Sequence, residues 1–320
     1  MLTAYDRMQA RATDYCYARC ATCGLLALRP MPSDGDIAAF YPQDYYQRIE
    51  TRERNLDKPV NRWAIRYFYG VDSVAQPRWL RAGFRLLARR ILRGMREPCG
   101  DNRLLDVGCG GGGTLATYRH LGWAVRGVEP SPQAVARCRA RGLAVHQGTV
   151  FDAPFGREFD VVLLSHVIEH VREPVATLAR AGQFLAPGGT VLVATPNARA
   201  LGFALYRSCW FPLDAPRHLH LFDPHTLRLL GQRAGLAVHK VATRAEPSTL
   251  CASRHYTATQ GQVLPANLAE RTAIIERSWR QWPRARLSRA LLTPLAVMAA
   301  LAGRGDVLEA EFTLHTRQMA

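Results

Sequence analysis

Leu104-Leu-Asp-Val-Gly-Cys-Gly-Gly-Gly-Gly-Thr-Leu115 reads as a buried strand, a glycine turn and the first turn of a helix. Gly108, Gly110 and Gly112 allow a tight turn and let the backbone approach a ligand that any Cβ would exclude. The helix that follows offers free N–H groups at its start. Such a turn is where an α/β sheet binds a nucleotide, so the fold class expected is α/β, doubly wound and Rossmann-like.

The glycines alone leave two cofactor classes open, because Gly108, Gly110 and Gly113 also fit the dinucleotide pattern of an NAD-dependent oxidoreductase. Asp106 separates them. A carboxylate at the strand end repels a pyrophosphate and attracts an ammonium. A second acid, Glu129, closes the apolar run Trp123-Ala-Val-Arg-Gly-Val128, about twenty residues on, where an acid hydrogen-bonds ribose hydroxyls. Both acids suit a cationic nucleoside.

With these residues the chain resembles the class I S-adenosylmethionine (SAM) methyltransferases, and the resemblance continues in order from residue 103 to 197. Val145-His-Gln-Gly-Thr-Val-Phe-Asp-Ala-Pro-Phe155 is similar to their third strand and adenine-side loop, and Phe159-Asp-Val-Val-Leu-Leu-Ser165 to their fourth strand. Ile168-Glu-His-Val171 with Pro174, Leu185-Ala-Pro-Gly-Gly189 and Thr190-Val-Leu-Val-Ala-Thr-Pro-Asn197 follow. The resemblance implies a seven-stranded, mostly parallel sheet whose last strand is antiparallel. It also implies SAM as cofactor, held by Asp106, Gly108, Cys109, Gly110, Gly112, Glu129, Pro130, Thr149, Val150, Phe151, Ser165 and His166.

The chain has 320 residues, of which 48% are hydrophobic, enough to bury a substantial core. No apolar run reaches the roughly eighteen residues that span a bilayer, and Met1-Leu-Thr-Ala-Tyr-Asp6 lacks the regions of a secretory signal. The expectation is a cytoplasmic protein, with an option of sitting at the inner face of the membrane, and eight reduced cysteines. The formal net charge is +16, and Lys58 and Lys240 are the only lysines among 42 basic residues. Such a balance fits either a solvated basic surface or an anionic partner: phospholipid, sugar nucleotide or nucleic acid. An RNA 2′-O-methyltransferase, the alternative to a small-molecule enzyme, would explain the charge, yet no recognisable RNA-binding module accompanies it, so nucleic acid is not the expected partner. Oligomeric state is not legible.

Three regions flank the nucleotide fold. Residues 1–45 carry Cys16, Cys20 and Cys23 in a pattern that resembles half of a zinc ribbon. The first Cys-x-x-Cys knuckle is missing, so a structural zinc needs a fourth ligand from a distant histidine or Cys99, and a metal-free remnant is expected. Residues 46–98 interleave arginines such as Arg78, Arg81, Arg85 and Arg89 with Trp79, Phe84 and Leu86 at helical spacing, a basic cap or lid. Residues 99–320 form the methyltransferase domain, with an acceptor-side insertion at about 198–225 and a helical one at about 258–303. Within the latter, Ala290-Leu-Leu-Thr-Pro-Leu-Ala-Val-Met-Ala-Ala-Leu-Ala302 fits a lipid-dipping helix, a buried cap or a dimer surface equally. Gly303 to His315 alternates like a final antiparallel strand.

Chemistry belongs at the carboxyl ends of the strands. Ser165-His-Val-Ile-Glu-His-Val171 leaves the fourth strand there, and the insertion supplies Asp214, His218 and His220. His166 and His170 share a face if a helix has already begun. A hydroxyl acceptor needs a base, and His170 or His218 is favoured, with His166 and Glu169 as further catalytic candidates. In the ubiquinone-biosynthesis O-methyltransferases this stretch reads Glu-x-x-Glu-His and holds a divalent ion. Here His166 replaces the first glutamate, so no metal is expected, although a softer ion could bind if His218 joined. Phe203, Tyr206, Trp210, Phe211 and Leu213 suit either a partly hydrophobic small-molecule acceptor, from glycan, lipid, quinone or secondary metabolism, or plain core.

Overall fold

The computed structural model describes residues 1–9, 11, 13–41, 99–285 and 289–315. The basic segment 46–98 lies outside them. The main sheet has seven strands: β4 (Arg103–Val107), β5 (Ala124–Glu129), β6 (Val145–Gln147), β7 (Phe159–Ser165), β8 (Leu185–Pro196), β10 (Ala237–Arg244) and β11 (Val307–Thr313). Their order is β6-β5-β4-β7-β8-β11-β10. β4 runs parallel to β5 and β7, and β7 parallel to β8. The final strand β11 inserts antiparallel between β8 and β10, with Val307 opposite Pro196 and Thr313 opposite Thr190. This is the expected Rossmann-like, doubly wound class.

The central strands are nearly continuous in apolar residues because both faces are covered. Successive side chains point to opposite faces. Leu104 and Val161 therefore join a core with α2 (Gly113–His120) and α3 (Pro132–Ala140), whereas Leu105 and Val162 join one with α4 (Pro174–Gly182) and α6 (Pro224–Arg233). Asp223 caps α6 reciprocally with Thr226, and Pro224 occupies its first position, so the helix starts where the sequence signals it. The strand order reverses at β4, flanked by β5 on one side and β7 on the other. Ligands of open α/β sheets bind outside the strand ends at such a switch point.

A second, antiparallel sheet has the order β1-β2-β3-β9. Its first three strands, β1 (Leu2–Ala4), β2 (Tyr15–Arg19) and β3 (Leu26–Arg29), come from the N-terminal segment; β9 (His220–Leu221) comes from the insertion. Leu26 pairs with Leu221 and Ala27 with His220. Tyr17, Leu28, Trp210, Leu213 and Leu219 form their common core. The cysteine-containing segment is thus built onto the insertion that carries His218.

Candidate active site

The glycine turn after β4 has the backbone the sequence requires: φ is +69° at Gly108, +53° at Gly110 and +77° at Gly112. A Cβ would lie 2.5 Å from Cδ1 of Leu143 at Gly112, and at Gly108 it would lie 2.6 Å from Cγ2 of Val167. The turn that follows β7 therefore packs directly on the turn that follows β4. Glu129, at the end of β5, fixes the loop by accepting the Gly110 N–H at 2.9 Å and the Ser131 N–H at 2.9 Å.

Asp106 is buried, and among the described residues no hydrogen bond reaches its carboxyl group. Burial, then the charges of Glu129 and Cys138, push it up to about 8. A neighbouring cation relieves such a group, so the cradle fits a ligand that brings a positive charge close to the backbone. The remaining cofactor candidates divide. Cys109 is buried and Pro130 exposed beside the cradle. After β6, Thr149 N–H donates to Asp152 at 2.6 Å and Phe151 stands 54% exposed. Val150 turns its side chain into the core, and its carbonyl accepts from Arg180 Nε at 3.3 Å.

Ser165 ends β7, and His166 follows with φ +56°, a left-handed conformation uncommon outside glycine. Its N–H donates to Ala194 O at 2.8 Å. Residues 168–170 form a turn and helix α4 starts at Pro174, so the shared helical face expected of His166 and His170 does not exist. The turn brings His166 Nδ1 within 3.1 Å of Glu169 Oε1 instead, and Thr195 donates its hydroxyl to Oε2 at 2.9 Å. The Glu169 side chain is fully buried, while that of His166 is 46% exposed. Burial pushes the Glu169 carboxyl up, but the His166 hydrogen bond and the charges of His166, His170 and His218 outweigh it and bring it down to about 2. His170 is itself held down at about 4 by burial and then by His218, and is neutral near pH 7. His166 is therefore the partner that counts for Glu169.

His170 and His218 lie edge to face, their ring centroids 4.6 Å apart. His170 Nδ1 is 3.1 Å from Arg217 O and 2.8 Å from the Tyr41 hydroxyl; His218 Nδ1 is 2.7 Å from Pro212 O. His220 lies beyond them against Phe222, held down at about 4, first by burial. Glu169, His170 and His218 have potential ligand atoms within 4.8 Å of one another, the one such group among the described residues; Cys16, Cys20 and Cys23 do not make one. Two imidazoles and one carboxylate would suit a softer ion better than Mg²⁺.

The insertion is held by a buried ion cluster. Arg217 donates to Asp214 at 2.7 Å and to both oxygens of Asp6, at 2.9 and 3.1 Å. Tyr17 also hydrogen-bonds the His218 carbonyl. Asp6 and Tyr41 were not foreseeable, since the Asp6–Arg217 contact spans 211 positions with no local pattern. Of the residues that suited an acceptor or the core, Trp210 and Leu213 belong to the small-sheet core. Phe211 packs on Tyr256 and Trp282.

A family model for a methyltransferase domain matches residues 79–241, just over half of the chain. The chain belongs to the class I SAM-dependent methyltransferases. This methyltransferase is 34% identical over 159 residues to the ubiquinone biosynthesis O-methyltransferase of Azorhizobium caulinodans, covering 46% of this chain and 63% of that protein. It is 35% identical over 147 residues to the enzyme of the same description from Cereibacter sphaeroides, covering 42% and 60%. The methyltransferase thus spans less than two-thirds of the length of these relatives. Among solved structures, a SAM-dependent methyltransferase from Mesorhizobium loti is similar at 18% identity with a TM-score of 0.44, over 70% of this chain and 95% of that one.

Proposed function

We propose that this methyltransferase moves a methyl group from SAM to a hydroxyl group of a small, partly hydrophobic acceptor. The observation that carries the reading is the His166–Glu169 pair on the turn packed against the glycine loop. SAM, when bound, supplies an already activated methyl group, so the protein's work is alignment, exclusion of water and handling of one proton.

Asp106 holds the cationic end of the cofactor, and Glu129 keeps the Gly110 loop shaped for it. His166 takes the proton of the acceptor hydroxyl. With Nδ1–H directed to Glu169, its Nε2 carries the lone pair, and the buried carboxylate stabilises the imidazolium that forms. His170, neutral and tied to Arg217 O and Tyr41, lines the acceptor side with His218. This reading prefers His166 as base to the histidines deeper in the cluster, because the exposed ring is the one backed by an ionised acid. The names of the relatives support oxygen as the accepting atom.

The setting we propose is the cytoplasm. All eight cysteines are free thiols, which suits a reducing compartment, and no helix among the described residues is long and apolar enough to cross a membrane. Transfer of radiolabelled methyl from SAM to a panel of phenolic and aliphatic hydroxyl compounds tests the reading. Labelled ether products that disappear in His166→Ala support it; labelling confined to amines or thiols overturns it.

A further inference from the structure

Helix α9 (Arg289–Leu301) is packed with its small residues inward. Ala296 and Ala299 are buried, the first in a cluster with Ala245 and Leu250. Leu292 and Val297 pack against that cluster, but four other large apolar residues face out: Leu291 is 80% exposed, Leu295 41%, Met298 68% and Leu301 84%. Steps of four, three and three place these four on one stripe of the helix. Thr293 turns its hydroxyl back to Arg289 O at 2.7 Å, so it presents no strong polar demand. A helix stabilised only by packing on the domain would bury its large apolar residues, whereas this one leaves four of them in one exposed stripe.

We propose that this face docks on an anionic lipid bilayer. No charged residue interrupts the sequence from Ala290 to Gly303, while Arg289 and Arg304 are exposed at its two ends and the chain as a whole carries +16. Apolar side chains framed by arginines match the acyl and headgroup layers of such a surface. Thirteen helical residues reach about 20 Å, short of the roughly 30 Å hydrocarbon core, so the helix lies in the interface. The docked end is next to the site: Arg304 O accepts the Leu201 N–H at 2.9 Å, and Asp306 O accepts that of Asn197, the residue after β8.

Sedimentation of the full chain with vesicles of phosphatidylcholine, alone or with added phosphatidylglycerol, tests the docking independently of catalysis. Binding is expected to the anionic vesicles, to weaken as salt rises, and to fall by about tenfold or more in Leu291→Glu/Met298→Glu. The thermal midpoint and SAM affinity of that variant control for folding. Arg289→Gln/Arg304→Gln, which leaves the apolar face intact, should also weaken binding. No binding to anionic vesicles overturns the proposal, as does equal binding by wild type and both variants. A wild-type dimer that the glutamate variant converts to monomer overturns it in favour of a second copy as occupant.

Discussion

Oε1 of Glu169 lies 3.1 Å from Nδ1 of His166, and the carboxylate is fully buried while the imidazole reaches solvent. The pair spans three residues of a turn, not a helix, and the left-handed backbone at His166 aims the ring. A strained residue at a strand end, paired with a buried acid, is an arrangement that packing alone does not require.

Glu169→Gln keeps the shape of the side chain and its bond to Thr195 but removes the negative charge behind His166. Turnover should fall by about 100-fold, within the range that acid–base assistance contributes, while SAM affinity stays within about twofold. His166→Ala should lower kcat at least as much. A loss expressed only in KM would assign both residues to acceptor binding.

Asp106 makes cofactor binding depend on pH. Its carboxyl holds a proton up to about 8, and a bound cation favours the ionised form. Affinity for SAM should therefore rise with pH, by up to about tenfold per unit, and level off above about pH 8. Titrations in buffers of different ionisation enthalpy would register the released proton. Without ligand the same group acts against the fold: the unfolded carboxyl ionises near 3.9, the folded one near 8, so its contribution to stability falls as pH rises between those values. A pH-independent affinity would remove Asp106 from this role.

Arg217 should matter to folding more than to chemistry. In Arg217→Met the carboxylates of Asp6 and Asp214 lose their shared partner in the interior, and Arg11 at 3.1 Å from Asp6 compensates only one of them. A loss of ~3 kcal/mol in denaturant unfolding is expected. A change below ~1 kcal/mol would show that the cluster is not what anchors the insertion.

Gly108→Ala forces a Cβ into a left-handed position and against Val167. The backbone term alone costs about 1–2 kcal/mol, and the clash shifts the His166 turn as well. SAM affinity should drop by about tenfold or more with a lowered thermal midpoint; unchanged calorimetry would mean that the two turns are not coupled.

The sheet was legible because its signals are local: glycines at positive φ, apolar strands of period two, and the Asp223 cap of α6. The final strand was legible by its alternation, and it runs antiparallel as the resemblance implied, paired with β8. The turn from Ser165 to Val171 was not, since it has helical spacing of histidines and only the His166 backbone, set by its bond to Ala194, shows that no helix forms there. Asp6, Tyr41 and the two-residue strand β9 left no sequence signal, because each depends on a partner more than a hundred positions away. For Trp210 and Leu213 the core alternative holds, because an apolar residue near a site more often fills the core beneath it.

The central claim is that the loop from Asp106 to Glu129 holds SAM, and isothermal titration of SAM and of NAD against the wild type and Asp106→Asn tests it most directly. Saturable SAM binding to the wild type, a loss of about tenfold or more in the variant, and no heat from NAD are expected. Binding of NAD without SAM, or equal SAM affinity in the two proteins, would contradict it.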